Sequence, residues 1–333
     1  MNVEQFLDEL MEQLDGAFAD NTLKAYRGDF MHFANWAIST GLDPLPPKAC
    51  DLAQYIKDMS VFQKSATIRR RIDTLGSLCF FAGFNSPTKT PEVKIALKKM
   101  HRTIGRQQKQ AHPLTLDILE QLLKKCGTTL SGRRNELLLR IGYETMRRSS
   151  EICSFCFEDL KTLPNGHFAL NLRRSKTDQL GDGKLIPISD LLADKITQWK
   201  KRIKASEGRI LRSIRKDNKT LGDQLSPASV SIILVDLQYR ARRRDIPHLS
   251  GHSFRVGAAL DMLNAGVPLE KIMLRGGWRK ETTTLRYLQS WVDNVNPADL
   301  QIEECTPVWE VTVSKGYEPN GQGARRSSKG ALN

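Results

Sequence analysis

Apolar residues in the first hundred positions recur at steps of three and four residues, the period of a helix with one buried face. Asn21 or Thr22 is the expected N-cap of the second helix, and Gly41 is its expected C-terminal stop. The spacing predicts an all-helical domain over residues 1–104. Its expected helices cover 3–14, 23–37, 48–59, 65–82 and a fifth segment that begins at Pro91.

Residues 114–312 combine helical periodicity with one short alternating segment. Apolar and polar residues alternate over 168–172 and 185–188, on either side of a turn at 181–183, which predicts a β-hairpin. The chain is therefore expected to be mainly α, with an α-rich second domain that contains a small β-sheet or hairpin. Residues 313–333 are rich in Gly, Ser, Arg and Lys, which predicts a disordered tail. Helices are expected over 114–125, 135–146, 189–204, 227–243, 254–265, 268–275 and 282–290.

Charge indicates the kind of partner. The 333 residues include 51 Lys and Arg against 37 Asp and Glu, a formal net charge of +14. An excess of this size favours a polyanionic partner, and nucleic acid is the leading candidate. An acidic membrane surface is the alternative, but a basic amphipathic helix or a lipidation motif is missing from the sequence. The chain has no apolar stretch long enough to span a membrane, and its first residues do not form a secretion signal. We therefore expect it to act inside the cell.

A run without acidic residues, from Val93 to Leu116, joins the two predicted domains. One interpretation is a solvated helix face that continues into a linker. The segment 105–113 has little apolar content and lies between two helical patterns, so we interpret it as a basic interdomain linker. Two domains joined in this way could close around a DNA duplex. The cationic side chains in and before the linker that could contact DNA are Lys98, Lys99, Arg102 and Arg106.

Motifs for metals, nucleotides and redox chemistry are weak or missing. Cys153 and Cys156 form an isolated C-x-x-C pair, which we interpret as two semi-buried thiols because neither a second cysteine pair nor a histidine pair accompanies it. The sequence has no phosphate-binding glycine loop and no acidic cluster suited to paired magnesium ions. We therefore expect no cofactor.

The strongest chemical signal lies near the C-terminal end. His252 and Arg255 are three residues apart and share a face if a helix begins there. This pair alone is weak, because an arginine-rich chain produces it by chance. Gly276-Gly277-Trp278 and then Tyr287 follow, with His252 and Tyr287 separated by 35 residues.

This segment, LSGHSFRVGAALDMLNAGVPLEKIMLRGGWRKETTTLRYL, resembles the catalytic end of the tyrosine recombinases, also called the phage integrase family, and most closely its Cre-like members. The family pattern T-x-x-R-x-x-E-I matches Thr145–Ile152, and its register selects Arg148 rather than Arg147. Lys176 occupies the place of the family's β-turn lysine. The resemblance implies that residues 1–104 form a helical, SAM-like core-binding domain and that 114–312 form the catalytic domain.

The resemblance also implies a role for each matched residue. Arg148 and Arg255 would hold the phosphate, because guanidinium groups bind two oxygens at once. Tyr287 would attack the phosphorus, and His252 would accept or orient its proton. Lys176 would protonate the leaving 5′ oxygen.

Two further residues complete the expected site. Glu151 would anchor Arg148 or His252, and Trp278 would pack against or hydrogen-bond the phosphate. Simpler interpretations exist for four of the residues. Tyr287 could be a core aromatic residue, Trp278 could seal the core, and Glu151 could be an ordinary carboxylate on a basic surface. Lys176 could simply contact a phosphate, since Lys184 lies on the same hairpin.

These observations predict a site-specific DNA recombinase that cuts and rejoins double-stranded DNA through a 3′-phosphotyrosyl intermediate. The resemblance implies a homotetramer on sites with inverted repeats, a Holliday junction, and action in the cytoplasm of a prokaryotic host, at the nucleoid. A type IB topoisomerase and a DNA-binding regulator without activity are the alternatives. Bases would be read from two helices, by Arg69, Arg70 and Arg71 and by Arg240, Arg242 and Arg243.

Overall fold

A computed structural model describes residues 2–107, 110–174, 183–282, 284, 285 and 288. Its internal contacts divide the chain into two compact units, residues 1–110 and 111–333. In the described part of the chain, none of the helices combines the length and the apolar character needed to cross a membrane.

The described residues of the first unit form five α-helices, and each buries the apolar face that its sequence spacing predicts. Tyr55, Phe30 and Phe33 are among the largest fully buried side chains of its core. The fifth helix begins at Pro91, where Thr90 caps it by accepting a hydrogen bond from the Val93 amide. The helices are α1 (Val3–Leu14), α2 (Asp20–Ser39), α3 (Ala49–Met59), α4 (Ser65–Phe81) and α5 (Pro91–Ile104).

Helix α2 begins earlier than the sequence predicts. Its first residue is Asp20 and its N-cap is Ala19, so the expectation that Asn21 or Thr22 caps this helix is wrong. The Ala19 side chain makes no capping hydrogen bond, and no capping residue marks this start in the sequence.

A buried carboxylate joins α2 to α4. Asp29 is 3% exposed and accepts hydrogen bonds from Arg70 and, at 3.0 Å, from the hydroxyl of Thr74. Arg71 lies 3.6 Å from the same carboxylate, donates toward His32 and has a side chain only 13% exposed. The expectation that Arg71 reads DNA bases is therefore not supported, because the buried charge of Asp29 draws its side chain inward. Arg69 remains exposed and pairs with Asp73.

The second unit is a helical domain with one small sheet. Three antiparallel strands form this sheet in chain order, and Phe168 lies opposite Ile188 in the strand pair that the sequence predicts. The first strand along the chain is not predicted, because its three residues are too few to show alternation. The strands are β1 (Leu160–Thr162), β2 (Phe168–Leu172) and β3 (Lys184–Ile188).

The first six helices of this unit pack with the sheet around a large aliphatic core, and the helix that follows them contributes to a smaller cluster. Cys153 and Cys156 belong to this interior, and burial raises the pKa of the Cys153 thiol to about 12. The helices are α6 (Leu116–Leu123), α7 (Leu130–Thr145), α8 (Ser149–Ser154), α9 (Asp190–Arg202), α10 (Pro227–Arg240), α11 (Gly251–Asn264) and α12 (Leu269–Gly276).

Several boundaries differ from those that periodicity predicts. Helix α7 begins at Leu130, five residues before the expected start, since Thr129 caps it through the Gly132 amide. Helix α10 ends at Arg240, and Arg242 adopts a positive φ of 60° outside it. The expected helix over 227–243 is therefore too long at its C-terminal end.

Helix α11 packs closely on the segment that precedes α6. The Leu114 amide donates to the Ser253 carbonyl at 2.9 Å, and a Cβ added to Gly257 would collide with the backbone of Leu114. A glycine at 257 is thus required for α11 to approach this segment.

We predict that Gly257→Ala destabilises the second unit by about 1–3 kcal/mol, because the added methyl group forces α11 away from Leu114. Gly28→Ala is the control: Gly28 is also helical, has open space around it, and should stabilise α2 by about 1 kcal/mol. Calorimetry of the full chain measures the unfolding temperature of each variant. Equal melting temperatures for Gly257→Ala and the unsubstituted chain would contradict the packing argument.

Candidate active site

The site forms around the turn between α7 and α8. Helix α7 ends at Thr145, and its C-cap residue Met146 adopts the left-handed conformation, with φ 54° and ψ 35°, which bulky residues rarely adopt. Arg147 and Arg148 follow, and α8 begins at Ser149. The turn aims three consecutive residues at different neighbours: the Met146 carbonyl, the Arg147 guanidinium and the Arg148 guanidinium each contact a different element.

Glu151 fixes the orientation of Arg148. One carboxylate oxygen of Glu151 accepts from Arg148 Nη1 at 2.7 Å, and the other accepts from the Arg148 backbone amide at 3.1 Å. Glu151 is 5% exposed, whereas the Arg148 side chain is 29% exposed. A buried carboxylate thus holds one edge of a guanidinium group that still reaches solvent. The predicted contact between Glu151 and Arg148 is present.

The N-terminus of α11 lies against the N-terminus of α8. Ser250 caps α11 through reciprocal hydrogen bonds with Ser253, which places His252 in the first turn. A Cβ added to Gly251 would collide with the Ser149 hydroxyl, so the absence of a side chain allows the two helix starts to meet. This contact brings His252 close to Arg148, which lies just before Ser149.

Arg255 is held from two sides beneath this surface. It is 4% exposed, and its Nη1 donates to the Met146 carbonyl at 2.7 Å. Its guanidinium carbon lies 4.6 Å from the ring centroid of Trp278, which is a cation–π contact. The backbone carbonyl and the indole therefore orient the second guanidinium group.

His252 lies in the positive field of both arginines. Partial desolvation, and then the charges of Arg255 and Arg148, lower the pKa of His252 below its ordinary value of 6.5. The imidazole is accordingly neutral at pH 7 and can accept a proton.

Chemically, this arrangement is suited to an anion. Arg148, Arg255 and the positive N-terminal end of α11 all favour a negatively charged group near His252. Within the described ranges, no group of three His, Cys, Asp or Glu side chains could hold a metal ion.

Comparison with known proteins decides the family. Residues 112–292 match the sequence model of the phage integrase family. The chain belongs to the phage integrase family. Members of this family are enzymes that transfer DNA strands.

Two curated members are similar along most of this integrase-family chain. An integrase/recombinase XerD homolog of Selenomonas ruminantium is 29% identical over 299 residues, covering 86% of this chain and 87% of the relative. The recombinase Cre of Escherichia phage P1 is 23% identical over 292 residues, covering 82% and 85%. Cre is thus a relative, as the sequence predicts, but the XerD homolog has the higher identity.

Solved structures agree on the fold. The XerH site-specific recombinase, in a structure described as a post-cleavage complex with a palindromic difH substrate, has a TM-score of 0.63 at 17% identity and covers 88% of this chain and 83% of its own. The mainly helical tyrosine recombinase fold expected from the sequence is confirmed.

The structure brings together five of the predicted site residues and does not describe two others. Arg148, Glu151, His252, Arg255 and Trp278 form one cluster. Lys176 and Tyr287 lie outside the described residues, as does the predicted tail over 313–333.

Besides the three arginines of α4, the cations expected to contact DNA fall into two groups. Four are exposed on or after α5: Lys98, Lys99, Arg102 and Arg106. The second group lies at the end of α10, where Arg240 donates to the Lys125 carbonyl and Arg243 pairs with Asp245 at 2.9 Å. Arg242 is exposed.

Apart from Glu151, the groups that orient the two arginines are not evident from the sequence. The Met146 carbonyl has no residue-type signature, because any residue supplies a carbonyl. Gly251 and Ser149 matter through close approach, which depends on the tertiary fold. The Gly276-Gly277 pair before Trp278 was the one available signal for a tight turn.

We predict that His252 titrates below 6.5 and that Arg148→Gln raises its pKa, since this change removes a nearby positive charge. Histidine resonances followed by NMR between pH 5 and 8 measure the effect, with His252→Gln for assignment. Arg212→Gln removes an arginine bonded to the carbonyls of Glu207 and Arg209 and should leave the pKa unchanged.

The lowered pKa of His252 also predicts how the stability of the fold depends on pH. Because folding lowers the pKa of His252, the unfolded chain binds this proton more readily, and the stability that His252 contributes is lost as the pH falls below 6.5. A pKa for His252 at or above 6.5 would contradict the described electrostatics.

Proposed function

We propose that this chain is a site-specific DNA recombinase that cuts and rejoins double-stranded DNA through Tyr287. The observation that carries the proposal is the convergence of Arg148 and Arg255 on His252, each guanidinium oriented by a separate acceptor. Family membership supports the reaction class, and a relative solved with its DNA substrate after cleavage supports DNA as the partner.

The two arginines would stabilise the charge that develops on the phosphate. Attack on a phosphodiester builds negative charge on its two non-bridging oxygens, which preorganised donors stabilise without first having to reorient. Arg148 and Arg255 each have a fixed partner, which orients the guanidinium group before a phosphate binds.

Tyr287 would be the nucleophile. Its phenolic oxygen forms the new bond to phosphorus, the bond to the 5′ oxygen breaks, and the phosphate remains on the 3′ strand end. Leu288, the next residue in the chain, is 2% exposed and packs in the same cluster as Met146, whose carbonyl holds Arg255. Leu288 therefore lies in the cluster that contains the residue orienting Arg255, whereas the role proposed for Tyr287 rests on the family to which the chain belongs.

Two protons must move in this reaction. The phenol of a free tyrosine has a pKa of about 10, so an acceptor is needed at neutral pH. A neutral His252 can take this proton, and the lowered pKa of His252 keeps it neutral. Lys176 would donate a proton to the leaving 5′ oxygen. The reverse reaction, with a 5′ hydroxyl from another strand, rejoins the DNA without an external energy source.

Binding around the duplex would use both units. We propose residues 1–104 as the core-binding domain, 105–113 as the linker and 114–312 as the catalytic domain. Exposed Lys98, Lys99, Arg102 and Arg106 are suited to phosphate contacts. Base reading by Arg71 is not supported, because Asp29 and His32 engage its side chain.

The assembly follows from the same proposal. A homotetramer would pair two sites with inverted repeats and exchange strands in two rounds through a Holliday junction. The bacterial and phage origin of the relatives supports action on DNA in a prokaryotic cytoplasm.

We predict that the chain forms a covalent adduct with nicked duplexes and that Tyr287→Phe abolishes it. Fragments of the DNA flanking the gene, nicked at many positions, supply substrates, and sequencing of protein-linked strands after denaturation identifies the site. Tyr239→Phe is the control and should leave adduct formation unchanged. Tyr239 is 62% exposed, and its ring contacts the Arg244 guanidinium group rather than the site residues. Arg148→Ala and Arg255→Ala should slow adduct formation by about 100- to 1000-fold.

Three outcomes separate the possible functions. Adducts at one site, followed by exchange between duplexes, support a recombinase. Adducts on many unrelated sequences without exchange would indicate a topoisomerase. Binding without any adduct in the unsubstituted chain would indicate a regulator.

A further inference from the structure

Arg147, beside the predicted catalytic Arg148, is a buried charge that the mechanism does not use. It is 3% exposed, and among the described residues no carboxylate lies within ion-pair distance of it. Its Nε is buried and has no hydrogen-bond partner in the described part of the chain. A buried, incompletely satisfied guanidinium group costs stability, so its presence calls for a specific contact that offsets the cost.

That contact is with the C-terminal end of α12. Arg147 Nη2 donates to the Arg275 carbonyl, in the last turn of the helix. Carbonyls at this end lack partners within the helix and carry the negative end of its dipole. Lys184 Nζ reinforces the arrangement by donating to the neighbouring Leu274 carbonyl at 2.6 Å. Two cations therefore bind the end of α12, one from the α7–α8 turn and one from the sheet.

The turn that Arg147 holds leads directly to Trp278. Gly277 ends α12 in the left-handed conformation at φ 69°, and a Cβ there would lie 2.5 Å from Arg147 Nη1. The Gly277 amide donates to the Leu274 carbonyl at 3.3 Å, and the Trp278 amide donates to the Met273 carbonyl at 3.0 Å. These two bonds form a Schellman motif.

The position of Trp278 then determines the environment of Arg255. The indole covers the backbone at Gly276 and lies 4.6 Å from the Arg255 guanidinium. Residues 146–148 thus reach the site in three ways: Met146 holds Arg255 directly, Arg147 holds the turn before Trp278, and Arg148 faces the phosphate position.

We propose that Arg147 is a positioning residue for strand cleavage, which fixes the α12 turn so that Trp278 stacks on Arg255 and holds its guanidinium in line with the phosphate. The inference rests on the proposed function. A shift of about 1 Å in a reacting group can slow a reaction about 100-fold. Arg147 therefore affects the cleavage rate and leaves DNA affinity nearly unchanged.

The test is single-turnover cleavage of the DNA site identified with the unsubstituted chain. Arg147→Met keeps much of the aliphatic stem and removes the donors; we expect cleavage to slow about 10- to 100-fold with unchanged DNA affinity. Arg134→Met is the matched control. Arg134 is 7% exposed and donates to the Arg212 carbonyl at 2.9 Å, so its loss should lower the melting temperature and leave the cleavage rate unchanged below that temperature.

A double-mutant cycle separates positioning from general destabilisation. If Arg147 acts through Trp278, then Arg147→Met adds little to the slowing that Trp278→Ala already causes. Fully additive effects, or cleavage by Arg147→Met at the unsubstituted rate, would overturn the proposal. If the Met variant does not fold, Arg147→Lys replaces it in the same cycle with the same criteria. Failure of the unsubstituted chain to cleave any site would instead count against the proposed function.

Discussion

Two like-charged guanidinium groups are held beside one imidazole, and this is possible because each has its own acceptor before any substrate binds. Glu151 holds Arg148 and the Met146 carbonyl holds Arg255. Without these acceptors, mutual repulsion and desolvation would turn the side chains toward water. An anion placed between them would then meet donors that require little rearrangement, which is the condition for electrostatic catalysis.

The α7–α8 turn makes this arrangement possible. A left-handed Met146 directs its carbonyl to Arg255, while the next two residues face α12 and the exposed side of the site. On the other side, Gly251 and Gly257 let α11 approach Ser149 and Leu114. Small residues thus set the distance between helices, and the helices set the distance between charged groups.

The fold class, most helices and the β2–β3 strand pair can be predicted from the sequence, because these depend on local periodicity. The family motif placed Arg148 correctly next to Glu151, since a three-residue spacing at a helix start brings the two side chains together. The inward orientation of Arg71 could not be predicted, because it depends on Asp29, which lies far from it in the sequence. The same reason explains Arg147, whose partner is on α12.

A crystal structure of the Tyr287→Phe variant bound to its target duplex tests the central claim most directly. The account predicts that one DNA phosphate contacts Arg148, His252 and Arg255 together, with Glu151 and the Met146 carbonyl still bonded to the two arginines. A duplex bound with that phosphate elsewhere, or with Arg148 and Arg255 on different phosphates, would contradict it.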